Sequence, residues 1–313
     1  IALNGFESQV FMDVRQETDT DGHLKEICTF LNGSGTPDLM IAWQELHYKE
    51  LYNSFTALLD TDIKLLNETK KLTLALLKKE LAKPLADFYE KANIFAEKEL
   101  KDKNEKKGTA KSKKTKKFVF KPIKPGKIIL PEQPKKTAKK DRPDACGLYL
   151  HIYSLLIPLA KEGLALKWAL HRKINEKIQD SYNYFNKAFI FASVKQDAAS
   201  LAKLLCSSQY SSLLTGENEY NGIKWFNKEL MELSLKLAEE VLCAGESASK
   251  KTKIKAIIKK LNNAQKKAEY KCENFLALVI GAAGQRPVGK QRAASNGAVK
   301  AEQRKERPGK KPG

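Results

Sequence analysis

Apolar and polar positions along this chain follow two different periods. In Gln9-Val-Phe-Met-Asp-Val14, Val10, Met12 and Val14 fall on one side and Phe11 and Asp13 on the other, the period-two pattern of a β-strand. From there to Leu100 only helical periodicity follows, so the strand is an orphan whose sheet is expected to lie outside this sequence. Leu24 to Leu31 makes a short amphipathic helix, stopped by Asn32-Gly-Ser-Gly35. Thr36-Pro-Asp38 starts the next helix, with Pro in the first turn and a hydroxyl or carboxylate as cap. Leu39, Ala42, Trp43 and Leu46, then Leu51, Phe55 and Leu58 after a one-residue slip, give one long apolar face. Asp60-Thr-Asp62 is expected to break and recap that face. Leu65 to Leu81 extend it to Pro84, where the helix must kink or restart, and Leu85, Phe88, Tyr89, Ala92 and Phe95 carry it to about Leu100.

Periodic burial fails over residues 101 to 143, which are Lys-rich and contain Pro122, Pro125, Pro131, Pro134 and Pro143. Two apolar knots interrupt the stretch, Phe118-Val-Phe120 and Ile128-Ile-Leu130, each able to dock as a strand on a sheet edge. Helical spacing returns at Leu148 to Ala160, with Pro158 inside it, and continues from Leu164 to Ala198 through Trp168, His171, Ile174, Ile178, Tyr182, Phe185, Phe189 and Ala192. A further run, Ala199 to Leu214, ends at Gly216. Asn221-Gly222 marks a tight turn, after which a strongly amphipathic helix runs from Trp225 to Cys243, with Asn227 as a candidate cap. Gly245-Glu-Ser is a break, and Lys250 to Ile280 reads as one last helix before a Gly/Pro/Arg/Lys coil.

The expected fold is therefore mainly α, with two helical lobes, an N-terminal orphan β-strand and a disordered basic linker and tail. Its boundaries are residues 1–15 for the strand, 16–100 for the first lobe, 101–145 for the linker, 146–283 for the second lobe and 284–313 for the tail. Charge sharpens this division. Of the net +20 over 313 residues, +13 lies in residues 101 to 143 and +7 in residues 286 to 313, which leaves the other 242 residues neutral. The basicity thus reads as a property of two low-complexity segments and not of a folded surface.

The longest apolar runs, such as Phe275 to Ala283, are too short to cross a bilayer, and no secretory n-region or h-region follows Ile1, so a cytoplasmic chain is expected, either complete or a fragment of a longer protein. Cys28, Cys146, Cys206, Cys243 and Cys272 never form C-x-x-C and are far apart in sequence, which points to buried thiols instead of disulfides or zinc. His23, His47, His151 and His171 show no metal-ligand spacing and are expected to be satisfied core or surface residues. Gly33-Ser-Gly35 has Asp38 where a third phosphate-loop glycine would stand, and reads as a turn. Glu217, Glu219, Glu239 and Glu240 are not positioned as an acid/base pair for sugar hydrolysis. No catalytic, cofactor or metal site is expected.

Two binding chemistries remain. Lys113, Lys114, Lys116 and Lys117 in the linker and Arg304 and Lys305 in the tail are candidate phosphate contacts for non-specific nucleic acid, against a solubilising role for the same charges. Tyr220, Trp225 and Phe226, in the most distinctive stretch of the chain, are a candidate aromatic surface, against simple packing at a helix start.

Leu3-Asn-Gly5 with Gln9 to Arg15, Gly33 with Gly35-Thr-Pro-Asp38, and Asn218-Glu-Tyr with Gly222 and Trp225-Phe-Asn-Lys-Glu229 resemble the region behind the catalytic barrel of large prokaryotic alpha-amylase-family glycoside hydrolases. The resemblance implies that residues 9–14 close a β domain, and that the helices form an accessory module of a protein acting on α-glucans. Its partner would be the parent's catalytic barrel. No catalytic residue of that family has a counterpart here, because no alternating strand-helix pattern of a barrel exists in these residues. The competing reading is a basic helical module that binds nucleic acid or another protein.

Overall fold

The computed structural model describes residues 18–19, 22–68, 73–105, 119–121, 128–130 and 145–281. The proposed strand at residues 9–14, the linker and tail cations named above, and Phe118 lie outside the described residues. Among the described residues the protein is mainly helical, with thirteen helices and a single two-stranded sheet.

The first part contains α1 (His23–Leu31), α2 (Leu39–His47), α3 (Lys49–Glu68) and α4 (Leu74–Glu105). Asn32, at φ 45°, and Gly33, at φ 83°, stop α1 in left-handed backbone. Asp38 caps α2 by accepting from the Met40 amide at 2.7 Å, and the one-residue slip in the apolar pattern is the break at Tyr48. Two expected interruptions do not occur. Helix α3 runs straight through Asp60-Thr-Asp62, because the Asp62 carboxylate is fully buried and bonded to a distant partner instead of capping its own backbone. Helix α4 continues through Pro84: Leu77, Leu81, Leu85 and Phe88 are buried on both sides of it, and each such burial contributes about 1.5–3 kcal/mol, enough together to exceed the roughly 3 kcal/mol cost of an interior proline.

The second part contains α5 (Ala145–Lys161), α6 (Leu164–Lys167), α7 (Leu170–Lys177), α8 (Tyr182–Ala192), α9 (Ala198–Leu205) and α10 (Ser211–Thr215). The hairpin β1 (Asn218–Tyr220) and β2 (Ile223–Trp225) follows, then α11 (Lys228–Cys243), α12 (Ala248–Lys267) and α13 (Cys272–Ile280). The expected single run from Leu164 to Ala198 is divided by left-handed residues at Ala169 and Asp180, and the expected last helix is divided at Glu269 and Tyr270, at φ 52° and 61°. Trp225 is not a helix start but the last residue of β2; Asn227 caps α11 by accepting from the Leu230 amide at 3.0 Å.

One continuous hydrophobic core joins the two parts. Helix α3 packs along α4, α5 lies on α8, α11 joins α8 to α12, and α13 sits on α9 and α12. Polar contacts bridge the same seam. The Tyr52 hydroxyl donates to the Trp168 carbonyl at 2.9 Å and that of Tyr89 to the Leu155 carbonyl at 2.8 Å. Glu99 accepts from the Trp168 indole at 2.7 Å and from Lys167, while Arg172 reaches Gln44 and Glu45 at 2.8 and 3.0 Å.

The two apolar knots do dock, but on helices and not on a sheet edge. Phe120 is buried, and the Asn93 amide makes both backbone bonds a neighbouring strand would make: its Nδ2 donates to the Phe120 carbonyl at 3.0 Å and its Oδ1 accepts from the Phe120 amide at 2.7 Å. Ile128 is buried likewise, and the Ile129 amide donates to Ser154 Oγ at 3.1 Å while its carbonyl faces His151 Nδ1 at 2.6 Å. Side chains of α4 and α5 thus satisfy backbone groups of both knots.

Candidate functional site

Residues 216–227 build an aromatic cleft. Asn221 and Gly222 both have positive φ, 51° and 71°, which suits a two-residue hairpin turn between β1 and β2. Strand β2 is tied at its end to the loop after α12: Trp225 and Lys271 form an antiparallel bridge, and the Phe226 amide donates to the Tyr270 carbonyl at 2.8 Å. The cleft so formed is open, about 530 Å³, and lined by Gly216, Asn218, Tyr220, Trp225, Asn227 and Tyr270 with Phe226 beneath. Tyr220 is 70% exposed and Tyr270 is 50% exposed, whereas Trp225 is half-buried under the Lys271 ammonium, 5.1 Å from its ring. Of the three expected surface aromatics, Phe226 is corrected: it is buried in the core against Phe275 and Tyr270. Tyr270 takes its place on the surface. Nothing in its sequence neighbourhood signals this, since only the left-handed backbone at Glu269 and Tyr270 turns that side chain toward the hairpin.

Helix α12 begins the second feature. Its sequence, Ala-Ser-Lys-Lys-Thr-Lys-Ile-Lys-Ala-Ile-Ile-Lys-Lys-Leu-Asn-Asn-Ala-Gln-Lys-Lys, contains eight lysines and no acid. Ile254, Ile258, Leu261, Ala264 and Gln265 face the core, so every lysine is exposed. Lys251, Lys255 and Lys259 follow one another at four-residue spacing, about 6 Å of rise each, and Lys253, Lys260 and Lys267 form a parallel row at seven-residue spacing. A shallow groove of about 390 Å³ runs between α12 and α13, lined by Lys259, Lys260, Asn263, Lys267 and Leu278. Lys260 donates to the Val279 carbonyl at 2.9 Å and Lys250 pairs with Glu246 at 3.3 Å. The expectation that basicity belongs only to the linker and tail is therefore corrected: a folded face is basic, and its charge is hidden in the segment sum by acids on other elements. Ala268–Lys271 connects the end of this strip to the cleft, where Lys271 lies over the Trp225 ring and Lys224 is paired with Glu217 at 3.0 Å.

His151 and His171 are buried within the fold. His151 and Asp62 are both fully buried, with His151 Nε2 3.0 and 3.1 Å from the two carboxylate oxygens. Burial works against the charged imidazole, but its bonds to Asp62 and to the Ile129 carbonyl prevail and raise its pKa. Burial, with the Arg172 guanidinium beside it, pushes His171 down to about 4, so its ring is neutral. His47 is likewise lowered by burial, then by His23. Among the described residues no group of three or more His, Cys, Asp or Glu could hold a metal, and no helix is long and apolar enough to cross a membrane.

What the arrangement can do chemically is to hold an anion along α12 and lay flat rings against Tyr220, Tyr270 and the Trp225 edge of the cleft. Comparisons with protein-family models, with curated proteins and with solved structures give no match to this chain.

Proposed function

We propose that this chain is a non-catalytic helical module that binds single-stranded nucleic acid, with phosphates along α12 and bases against the aromatic cleft. The observation that carries the reading is a helix with eight exposed lysines and no acid of its own, joined through residues 268–271 to a cleft edged by Tyr220, Trp225 and Tyr270. Ammonium groups release counterions from a phosphate backbone, and aromatic faces add about 1–3 kcal/mol per stacked base regardless of sequence.

Fluorescence anisotropy with a labelled oligo(dT) across a salt series tests this. Affinity of order 10⁻⁴ to 10⁻⁶ M at physiological salt is expected, and K255E/K259E/K266E should weaken it and reduce the salt slope by about 2, at about 0.7 for each phosphate no longer neutralised. Unchanged affinity and slope in that variant overturn the reading. A second reading rests on the exposed Tyr220 and Tyr270 rings alone, which also suit sugar faces: an accessory module contacting α-glucan. Maltoheptaose binding that is insensitive to salt and abolished in Y220A would favour it. A neutral sugar gains nothing from the lysine strip, which is why the polyanion comes first.

A further inference from the structure

Cys206 and Cys272 are 66 positions apart, yet α9 ends and α13 begins at one place. Cys206 Sγ lies 3.9 Å from the Cys272 carbonyl oxygen, which makes the two residues direct neighbours. Cys272 is the first residue of α13, where the unpaired amides of a nine-residue helix favour negative charge. Glu217 Oε2 is 4.0 Å from Cys272 Sγ, and Lys224 holds the same carboxylate at 3.0 Å. Cys206 is half-buried and Cys272 buried, so the pair meets solvent through Cys206.

We propose that Cys206 and Cys272 form a peroxide-oxidisable dithiol whose disulfide staples α9 to α13 beneath the aromatic hairpin. The neighbouring Cys206 thiol lowers the pKa of the Cys272 thiol, against burial and the Glu217 carboxylate, while Cys272, and then burial, raise that of Cys206; the proton stays on Cys206 and the nucleophile is Cys272. Glu217 is the acceptor in reach of the proton that Cys272 gives up. The Cys272 thiolate attacks one oxygen of a hydroperoxide, the O–O bond breaks, and the other oxygen leaves as water or alcohol after taking a proton. Cys272 is then a sulfenic acid. The Cys206 sulfur, losing its proton, displaces hydroxide from it, which departs as water; two thiols and one hydroperoxide yield one disulfide, one water, and a second water or an alcohol from the other oxygen. The inference is independent of nucleic-acid binding.

The test uses the full chain, reduced and then exposed to hydrogen peroxide, with remaining thiols alkylated before intact-mass and peptide analysis. A loss of two hydrogens with a Cys206–Cys272 cross-linked peptide is expected, reversed by a dithiol reductant. The closed loop should raise Tm by roughly 5–15 °C. Full alkylation of both cysteines after peroxide, or a cross-link from either one to Cys243, overturns the proposal. In C206S, dimedone should trap a sulfenic acid at Cys272, and in C272S it should leave Cys206 unlabelled; the opposite pattern overturns the assigned roles. If either variant fails to fold, the wild-type cross-link still decides.

Discussion

The buried His151–Asp62 pair should make the stability of this fold depend on pH in a direction that can be worked out from its bonds. Each imidazole nitrogen faces an oxygen, the Ile129 carbonyl at 2.6 Å and the Asp62 carboxyl at 3.0 Å, an arrangement that suits a doubly protonated ring. Its folded pKa is raised above the ordinary value of about 6.5, so its contribution is fully present below that value and is lost as pH rises through the folded pKa. Chemical unfolding of the wild type followed from pH 6 to pH 9 should therefore show stability falling through the alkaline part of that range. Asp62→Ala leaves Nε2 without a partner in a site of zero exposure. The ring can shed its proton and keep the bond to Ile129, so the loss is one unsatisfied buried group plus a small cavity, about 2–4 kcal/mol, or roughly 4–16 °C in Tm. Asp62→Asn behaves differently, because its amide can donate to the neutral Nε2; it should cost about 1 kcal/mol and flatten the alkaline loss. Equal destabilisation by the two substitutions, or a wild type whose stability is level over that pH range, would refute the charge assignment.

Asn93→Ala removes both backbone bonds at Phe120 and should cost about 1–3 kcal/mol, with faster amide exchange at Phe120 as the local readout. Asn227→Ala deletes the α11 cap and should cost about 1 kcal/mol in urea unfolding. Gly222→Val forces a β-branched residue into left-handed backbone at φ 71° and should loosen the hairpin, read as weaker oligo(dT) binding with a Tm lowered by only a few degrees.

The helical character is legible because most of the chain shows a period near 3.6, and the stops at Asn32-Gly33, the Asp38 cap and the Asn227 cap are legible because each uses a residue whose side chain or backbone freedom does one local thing. The departures share a cause. Asp62 looks like a helix breaker until its partner, 89 positions away, is known; Pro84 looks like a stop until the burial on both sides is weighed; and the short β1–β2 pair carries too few residues for alternation to be seen. Phe120 and Ile128 stand out as apolar, but the amide and hydroxyl that receive their backbones sit on α4 and α5, so a helix surface takes the part expected of a sheet edge. The cleft is half legible: Tyr220 and Trp225 lie in one distinctive stretch, whereas Tyr270 reaches it only through the packing of α12 and α13.

The lysine strip is invisible in the net charge because a sum over residues ignores which face each residue is on, and the strip has a thermodynamic corollary. Lys251, Lys255 and Lys259 stand at successive i,i+4 positions on α12, and Lys250 and Lys253 at i,i+3; like charges at these spacings each disfavour the helix by about 0.2–0.5 kcal/mol. The helix persists because Ile254, Ile258 and Leu261 are buried, so the free protein carries a repulsion that its core outweighs. A bound anion relieves it. Lys255→Gln, which removes the charge common to two of these pairs, should therefore stabilise the free chain at low salt by about 0.4–1 kcal/mol while weakening its hold on oligo(dT). Added salt should shrink the stability gain, since screening has the same effect as the substitution. If Lys255→Gln instead destabilises the free chain, the lysines are held by structural partners, and the strip is not a surface waiting for an anion.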